Sequence, residues 1–433
     1  MRQQNLDTSI HFACQSCGAC CDQSWRTMIE PEKARALDAH DFSAFPQLAG
    51  KTFYHPSRDP KDQRFELAKG EGTRCLFLDA DNLCIIHKEL GPEAKPHMCR
   101  QFPYLPACTW VDDRVSVNFG CPAVQAQAGA PLTTQAAEIR AIVPRSKRDP
   151  NPQGPVPLDA KVLLTQAEGN ALFDRALRIF ADAPAHNVWT SFGELLAVLA
   201  GVREFKLASS AGESAELIGL LERDRPLPGA PDVPAVHAYA SPMEAPMPSR
   251  FLFASTLFPD TLPADASPSA GVLRRLALVP KLMALSRLSG GYASRLLGRN
   301  VSIHDVLRHP IAETLPHDAA ELLLRYFRSR LWQRLPAGTR LPVIAGVHQH
   351  IQDLNAIIFF ARAEAQHTGA AELTEPLIRQ ALTRVEFHLA NQTRLYDNTL
   401  RRWQRAQLQN AVMAFQSLRL MSLQRTAQPA GRA

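Results

Sequence analysis

Apolar positions give the chain two textures. Up to about residue 130 they form short runs broken by Gly, Pro, Asp and Asn, whereas from about residue 160 they recur every three to four positions, the period of an amphipathic helix. In the first stretch, residues 29–37 predict a short helix with Pro31 in its first turn. Residues 41–70 read as irregular and turn-rich, with a short strand at 65–68. Leu76–Leu78 and Leu83–Ile86 read as two hairpin arms around a tight turn at Asp79–Asn82, which would bring Cys75 and Cys84 near each other. A second hairpin is predicted over 108–121, turning at Asp112-Asp113.

Residues 126–158 are poor in aromatics and rich in Ala and Pro, the composition of a linker. Helices are expected at 161–182, 191–205, 271–298, 317–335, 341–367 and 374 to about 424, with Ser191 and Glu194 fitting a capping box. A Pro-rich loop at 226–249 interrupts them, and no fixed-period repeat is apparent. The expected fold class is mostly α. It comprises a small metal-stabilised, irregular or hairpin cysteine domain at 1–130, a linker at 131–159 and a large all-α domain at 160–433.

Composition is that of an ordinary globular protein, 45% hydrophobic and 21% charged over 433 residues. The longest apolar runs, 195–202 and 356–361, fall far short of the roughly 20 residues that a membrane span needs. The opening residues hold no apolar run like that of a secretory leader, so a cytoplasmic, reducing compartment is expected. Net charge is +6 but uneven: residues 271–433 hold 22 Lys and Arg against 10 Asp and Glu, and Lys281 is the sole lysine among them. Such a surplus either dresses solvated helix faces or seats an acidic partner. No nucleic-acid partner is expected.

The chemistry lies in the cysteines. All nine fall within the first 121 residues, four of them in Cys14-Gln-Ser-Cys17-Gly-Ala-Cys20-Cys21, followed by Cys75, Cys84, Cys99, Cys108 and Cys121. A two-residue gap lets two thiolates of one turn face one centre, and in a reducing compartment dense cysteines point to metal rather than disulfides. The candidate ligands are Cys14, Cys17, Cys20, Cys21, Cys75, Cys84, Cys99 and Cys121, with Cys108 left over and expected to be dispensable. Eight thiolates suit two tetrahedral zinc ions, or one iron–sulfur cluster held by four of them. Arg74, His87, Lys88, Lys95, His97 and Arg100 lie close in sequence and would offset the charge of either; His87 and His97 are alternative ligands. The spacing does not fit the Cys-x3-Cys-x2-Cys of radical S-adenosylmethionine chemistry, and no Gly-x-Gly-x-x-Gly loop follows a strand.

Cys-x2-Cys-Gly-x-Cys-Cys, then Cys-x2-Leu-Asp-x-Asp-x-Leu-Cys at 75–84, Cys99-Arg-Gln-Phe-Pro and Cys121-Pro together resemble the YkgJ-type cysteine-cluster proteins, described as zinc- or iron-chelating. Residues 12–125 more closely resemble the N-terminal half of flagellin lysine N-methylases, which also continue into a large helical region. The resemblance implies an iron–sulfur-dependent transfer of methyl groups to lysine side chains of a protein substrate such as flagellin, with S-adenosylmethionine as a donor implied by likeness alone. Metal handling without catalysis, and a scaffold with structural zinc, remain the alternatives. His348 and His350, two apart on a predicted helix, are expected on different faces rather than on a shared metal; Arg384 and His388 share a face.

Overall fold

The computed structural model describes residues 4–23, 25–57, 61–143, 154–181, 188–208, 213–230, 236, 238–239, 244–261, 279–334, 341–389 and 411–423. The chain divides into two compact units: one made of 3–106 and 114–146, the other of 107–113 and 147–433 together with the first two residues. Most of the described secondary structure is α-helix.

The first unit, hereafter the cysteine unit, is built of short strands and short helices. In chain order they are β1 (Gln4–Leu6), β2 (His11–Phe12), β3 (Met28–Ile29), α1 (Pro31–Asp38), β4 (Tyr54–Pro56), β5 (Phe65–Leu67), α2 (Ile85–Leu90), α3 (His97–Gln101), β6 (Tyr104–Cys108) and β7 (Asp113–Val117), apart from residues 107–108 and 113, which are assigned to the other unit, then α4 (Pro122–Gln125), β8 (Ala130–Pro131) and α5 (Ala136–Ile142). The expected strand at 65–68 is β5, the centre of a sheet ordered β3-β5-β4 and antiparallel throughout. Ile29, Leu37, Phe42, Leu67, Phe77, Ile85 and Ile86 pack into one buried cluster beneath that sheet, and Cys75 and Cys84 lie against its edge. Phe42 meets Phe53 and Phe77 edge-on at 5.5 and 5.7 Å, the geometry that aromatic quadrupoles favour.

Three local readings are corrected here. The turn at Asp79–Asn82 forms, but pairing beyond it is a single bridge, Leu78 with Cys84, and Ile85-Ile86 opens α2 instead of extending a second arm. Both isoleucines are almost wholly buried, so burial is met by a helix as well as by a strand. The later hairpin begins at Tyr104, so that Cys108 ends its first strand and does not start it. Part of the segment with linker composition is ordered, as β8, α5 and a strand at Val156–Pro157; residues 144–153 lie outside the described residues.

The second unit is helical. It holds β9 (Val156–Pro157) paired with β10 (Leu163–Leu164), then α6 (Gln166–Ala181), α7 (Val188–Ala208), α8 (Ser214–Glu222), α9 (Met247–Leu257), α10 (Val279–Ser286), a hairpin of β11 (Gly291–Ser294) and β12 (Arg299–Ser302), α11 (Ile303–Arg308), α12 (His317–Trp332), α13 (Val343–Thr368), α14 (Glu375–His388) and α15 (Ala411–Leu420). Of the helix expected over 271–298, residues 271–278 lie outside the described residues and the rest is α10 followed by a hairpin strand: the Gly290-Gly291 pair and Gly298, with φ at +65°, break the helical run. Ser191 is no cap, because α7 starts at Val188 and buries it. The expected helix from 374 is interrupted, with 390–410 outside the described residues.

α13 runs through the middle of this unit, packing on α7, α9, α11, α14 and α15. Several of its polar side chains bond to neighbouring elements. His348 Nε2 lies 3.0 Å from Ser417 Oγ, Asn355 Nδ2 donates to the Ser417 carbonyl at 2.9 Å, and Arg362 donates to the carbonyls of Val306, Leu307 and His309 at the end of α11. Beside it, Glu386 of α14 accepts from Tyr326 at 2.9 Å and pairs with Arg330, all three buried. Removing one partner of a buried ion pair costs about 3–5 kcal/mol, because the other charge is left desolvated. Glu386→Ala should therefore lower unfolding stability by that order, and Tyr326→Phe by about 1 kcal/mol, both read from denaturant unfolding of the helical signal.

His388 adds a pH dependence. Burial, then the charges of Arg295 and Arg384, hold its imidazole down at about 4. The unfolded chain takes that proton near the ordinary value of about 6.5, so below it the unfolded state binds more protons and stability falls as pH drops from about 6.5 to about 4. His388→Gln should flatten the stability profile across that window.

Candidate metal centre

Four separated segments bring the cysteines together. In the first, Gly18 adopts φ +70° and its carbonyl accepts from the N–H groups of Cys21 and Asp22 at 2.9 and 3.1 Å, folding the loop back on itself. A Cβ on Gly18 would stand 2.9 Å from Asn82 Oδ1, so glycine is required both by the backbone and by the neighbouring loop. The second segment is laced onto the first: Cys75 N–H donates to the Cys21 carbonyl at 2.8 Å, and Thr73 Oγ1 to Asp22 at 2.6 Å. The Asp79 carboxylate accepts from the N–H groups of Asp81 and Leu83 at 2.9 and 2.7 Å, an Asx-type turn that carries the chain round to Cys84.

The third segment is α3, which carries Cys99. It is anchored where Met28 N–H meets Met98 Sδ at 3.1 Å and His97 N–H meets Glu30 Oε2 at 3.2 Å. The fourth is the start of α4, with Cys121 at its N-cap. Helix α4 packs on β2, and β2 pairs with β8, so the chain entering Cys14 runs beside the chain leaving Cys121.

Electrostatics divides the thiols into two sets. Burial pushes Cys75 up to about 11 and raises Cys84 and Cys99, and the thiols of Cys21, Cys75 and Cys84 all bear on Cys99. The Cys20 thiol, with Sγ 3.9 Å from that of Cys21, raises Cys21 further, burial adding to it. Against this, Lys69 favours the thiolates of Cys21 and Cys75, and Lys95 those of Cys21, Cys84 and Cys99. In the other set, burial raises Cys121, and the thiols of Cys17 and Cys14 bear on it. Cys14 and Cys17 are exposed.

All eight sequence-predicted ligands thus fall in the cysteine unit, and no disulfide joins them. Cys108 belongs to the helical unit, its thiol 3.9 Å from the Thr109 carbonyl. Of the expected cations, Lys95 faces the thiols. Arg100 instead pairs with Glu93 at 2.6 Å, Lys88 lies over the Phe45 ring and Arg74 donates to the Asp79 carbonyl. Lys69 joins Lys95 at the thiols; its nearness comes from an antiparallel bridge to Cys75, a pairing with no signature in spacing. His87 is exposed. His348 and His350 are buried in the helical unit.

Among the described residues, no three Cys, His, Asp or Glu side chains are close enough together to hold an ion as they stand. The donor set nevertheless fits zinc or iron: it is all soft sulfur, drawn from loops that already touch, with lysines at the thiols that burial penalises most. Binding would close the thiols onto the ion and release their protons, so affinity should rise with pH.

Fold and site together define a mostly α protein carrying a compact cysteine-cluster unit. Residues 13–121, about a quarter of the chain, match the family model CxxCxxCC, "Putative zinc- or iron-chelating domain". No curated protein and no solved structure matched the chain.

Cys108→Ser should leave metal content unchanged after desalting, whereas Cys99→Ser should deplete it. Lys95→Met should weaken metal affinity about tenfold, the size of effect typical of groups just outside a metal's ligands, as measured by competition with a chromophoric chelator.

Proposed function

We propose that the cysteine unit chelates zinc or iron through Cys14, Cys17, Cys20, Cys21, Cys75, Cys84, Cys99 and Cys121, with residues 1–130 acting as a metal domain and 160–433 as a helical domain. The observation that carries this is the gathering of eight cysteines, none in a disulfide, from four separated segments in one unit, with Lys69 and Lys95 bearing on the part-buried Cys21, Cys75, Cys84 and Cys99. Anaerobic purification followed by metal analysis and an absorption spectrum tests it. A brown, iron-containing protein absorbing in the visible selects an iron–sulfur cluster, and a colourless zinc protein selects zinc. Protein free of both metals, with all thiols titrating normally, would refute chelation.

A finer reading is catalytic: an iron–sulfur-dependent methyl transfer to lysine side chains of a protein substrate such as flagellin, with S-adenosylmethionine as the methyl donor. It is supported by the motif resemblance over 12–125 and by the size of the helical unit, which is far larger than chelation needs. Co-expression with flagellin should then yield flagellin heavier by whole methyl increments, absent with a Cys99→Ser variant; unchanged flagellin mass rejects the catalytic reading and leaves chelation standing.

A further inference from the structure

The helical unit gathers positive charge where its hairpin meets two helices. Ser294 of β11 pairs with Arg299 of β12, so the loop from Arg295 to Gly298 closes the hairpin and sets Arg295 and Arg299 at one end. Arg299 donates to Glu364 of α13 at 2.9 Å, and the other oxygen of that carboxylate lies 2.7 Å from Arg384 of α14. One turn further along α14, on the same face, stands His388. The charges of Arg295 and Arg384 both bear on its imidazole, which ties the hairpin loop to the end of the helix. The carboxylate of Asp260 is already engaged there, accepting from Ser294 Oγ at 2.5 Å, Tyr292 Oη at 3.1 Å and the Leu296 N–H at 2.7 Å. Three arginines against two carboxylates leave at least one positive charge over. Two donors, Arg295 Nε and Arg384 Nη1, are buried without a hydrogen bond among the described residues, a costly condition for a charged group. Arg295, Arg384 and His388 are each only partly buried as residues, so a small ion can reach them from water.

We propose that Arg295, Arg384 and His388 form an anion site in the helical unit that takes a phosphate group, free or carried as a monoester on a small molecule. The site does not depend on the chelation reading above. Phosphate suits it better than a carboxylate, because a tetrahedral oxyanion turns acceptors toward donors on separate elements and brings a second negative charge to the surplus. His388 is the third donor once it is protonated. In the free protein, burial and the two arginines keep its proton off. An anion among these groups offsets that repulsion, so phosphate binding and protonation of His388 favour each other.

The test titrates the full chain with inorganic phosphate at fixed ionic strength, exchanging chloride for phosphate. NMR follows the His388 ring resonances, assigned by their loss in His388→Gln. Saturable shifts are expected, and the phosphate-bound imidazole should take up its proton between about pH 7 and 5, a range over which the free protein keeps it neutral. Arg295→Gln leaves the Glu364 pairs intact and should keep the helical signal while weakening phosphate at least about tenfold, the worth of one charged hydrogen bond. Arg308→Gln, at an exposed arginine outside the cluster, should leave binding unchanged. O-Phosphoserine is titrated in parallel: tighter binding than inorganic phosphate assigns the site to a monoester, weaker or equal binding assigns it to the free ion, and either result supports the proposal. Acetate binding as tightly as phosphate overturns it. So do phosphate shifts that persist undiminished in Arg295→Gln, and so does the lack of any saturable shift in the wild-type chain.

Discussion

The constraint on which the cysteine unit turns is the charge of crowded, part-buried sulfur. Cys75, Cys84 and Cys99 each sense another of the group, Cys21 senses its neighbour Cys20, and burial resists the thiolate form in all four. Two lysines push the other way, which is too little positive charge for four thiolates. A dication in their midst would supply the missing charge and convert four disfavoured anions into ligands.

That constraint does not carry the whole unit. The sequence, with its broken apolar runs, suggests a region shaped by metal alone, yet the structure gives it a hydrophobic cluster with Phe42, Phe53 and Phe77 in edge contact. Aromatic contacts of this kind add about 0.5–1.5 kcal/mol each beyond area burial. The sheet β3-β5-β4 and helices α1 and α2 pack with that cluster, while the cysteine loops sit at its edge. A metal bound there would act on loops that a core already presents, and the Cys75 N–H to Cys21 carbonyl hydrogen bond ties two of those loops together.

How much of this the sequence discloses depends on whether a feature is local. Cys-x2-Cys spacing, the Asp79–Asn82 turn and Pro31 at a helix start are decided within a few residues, and the structure has them where the sequence puts them. Features set by distant partners are not legible. Ile85-Ile86 reads equally as strand or helix, and the helix prevails because its N-terminal turn follows the Asx-type turn directly while both side chains reach the core. Lys69 reaches the thiols only through a bridge to Cys75, and the split of the cysteines depends on α4 packing against β2. The 271–298 stretch has helical periodicity, but glycines at 290, 291 and 298 outweigh it.

The positive surplus of residues 271–433 raises the same question in the helical unit, and there the structure narrows the answer. Arg330 faces Glu386 in the core, Arg362 donates to three carbonyls at the end of α11, and Glu364 is shared by Arg299 at 2.9 Å and Arg384 at 2.7 Å. Arginine is suited to such positions because its planar fork satisfies several acceptors at once and stays charged when buried, whereas a lysine there would tend to lose its proton. A region whose cations must work inside helix packing would favour arginine over lysine, which agrees with Lys281 being the only lysine in it. Part of the surplus is therefore structural, and net charge alone overstates how much positive surface this unit can offer an acidic partner.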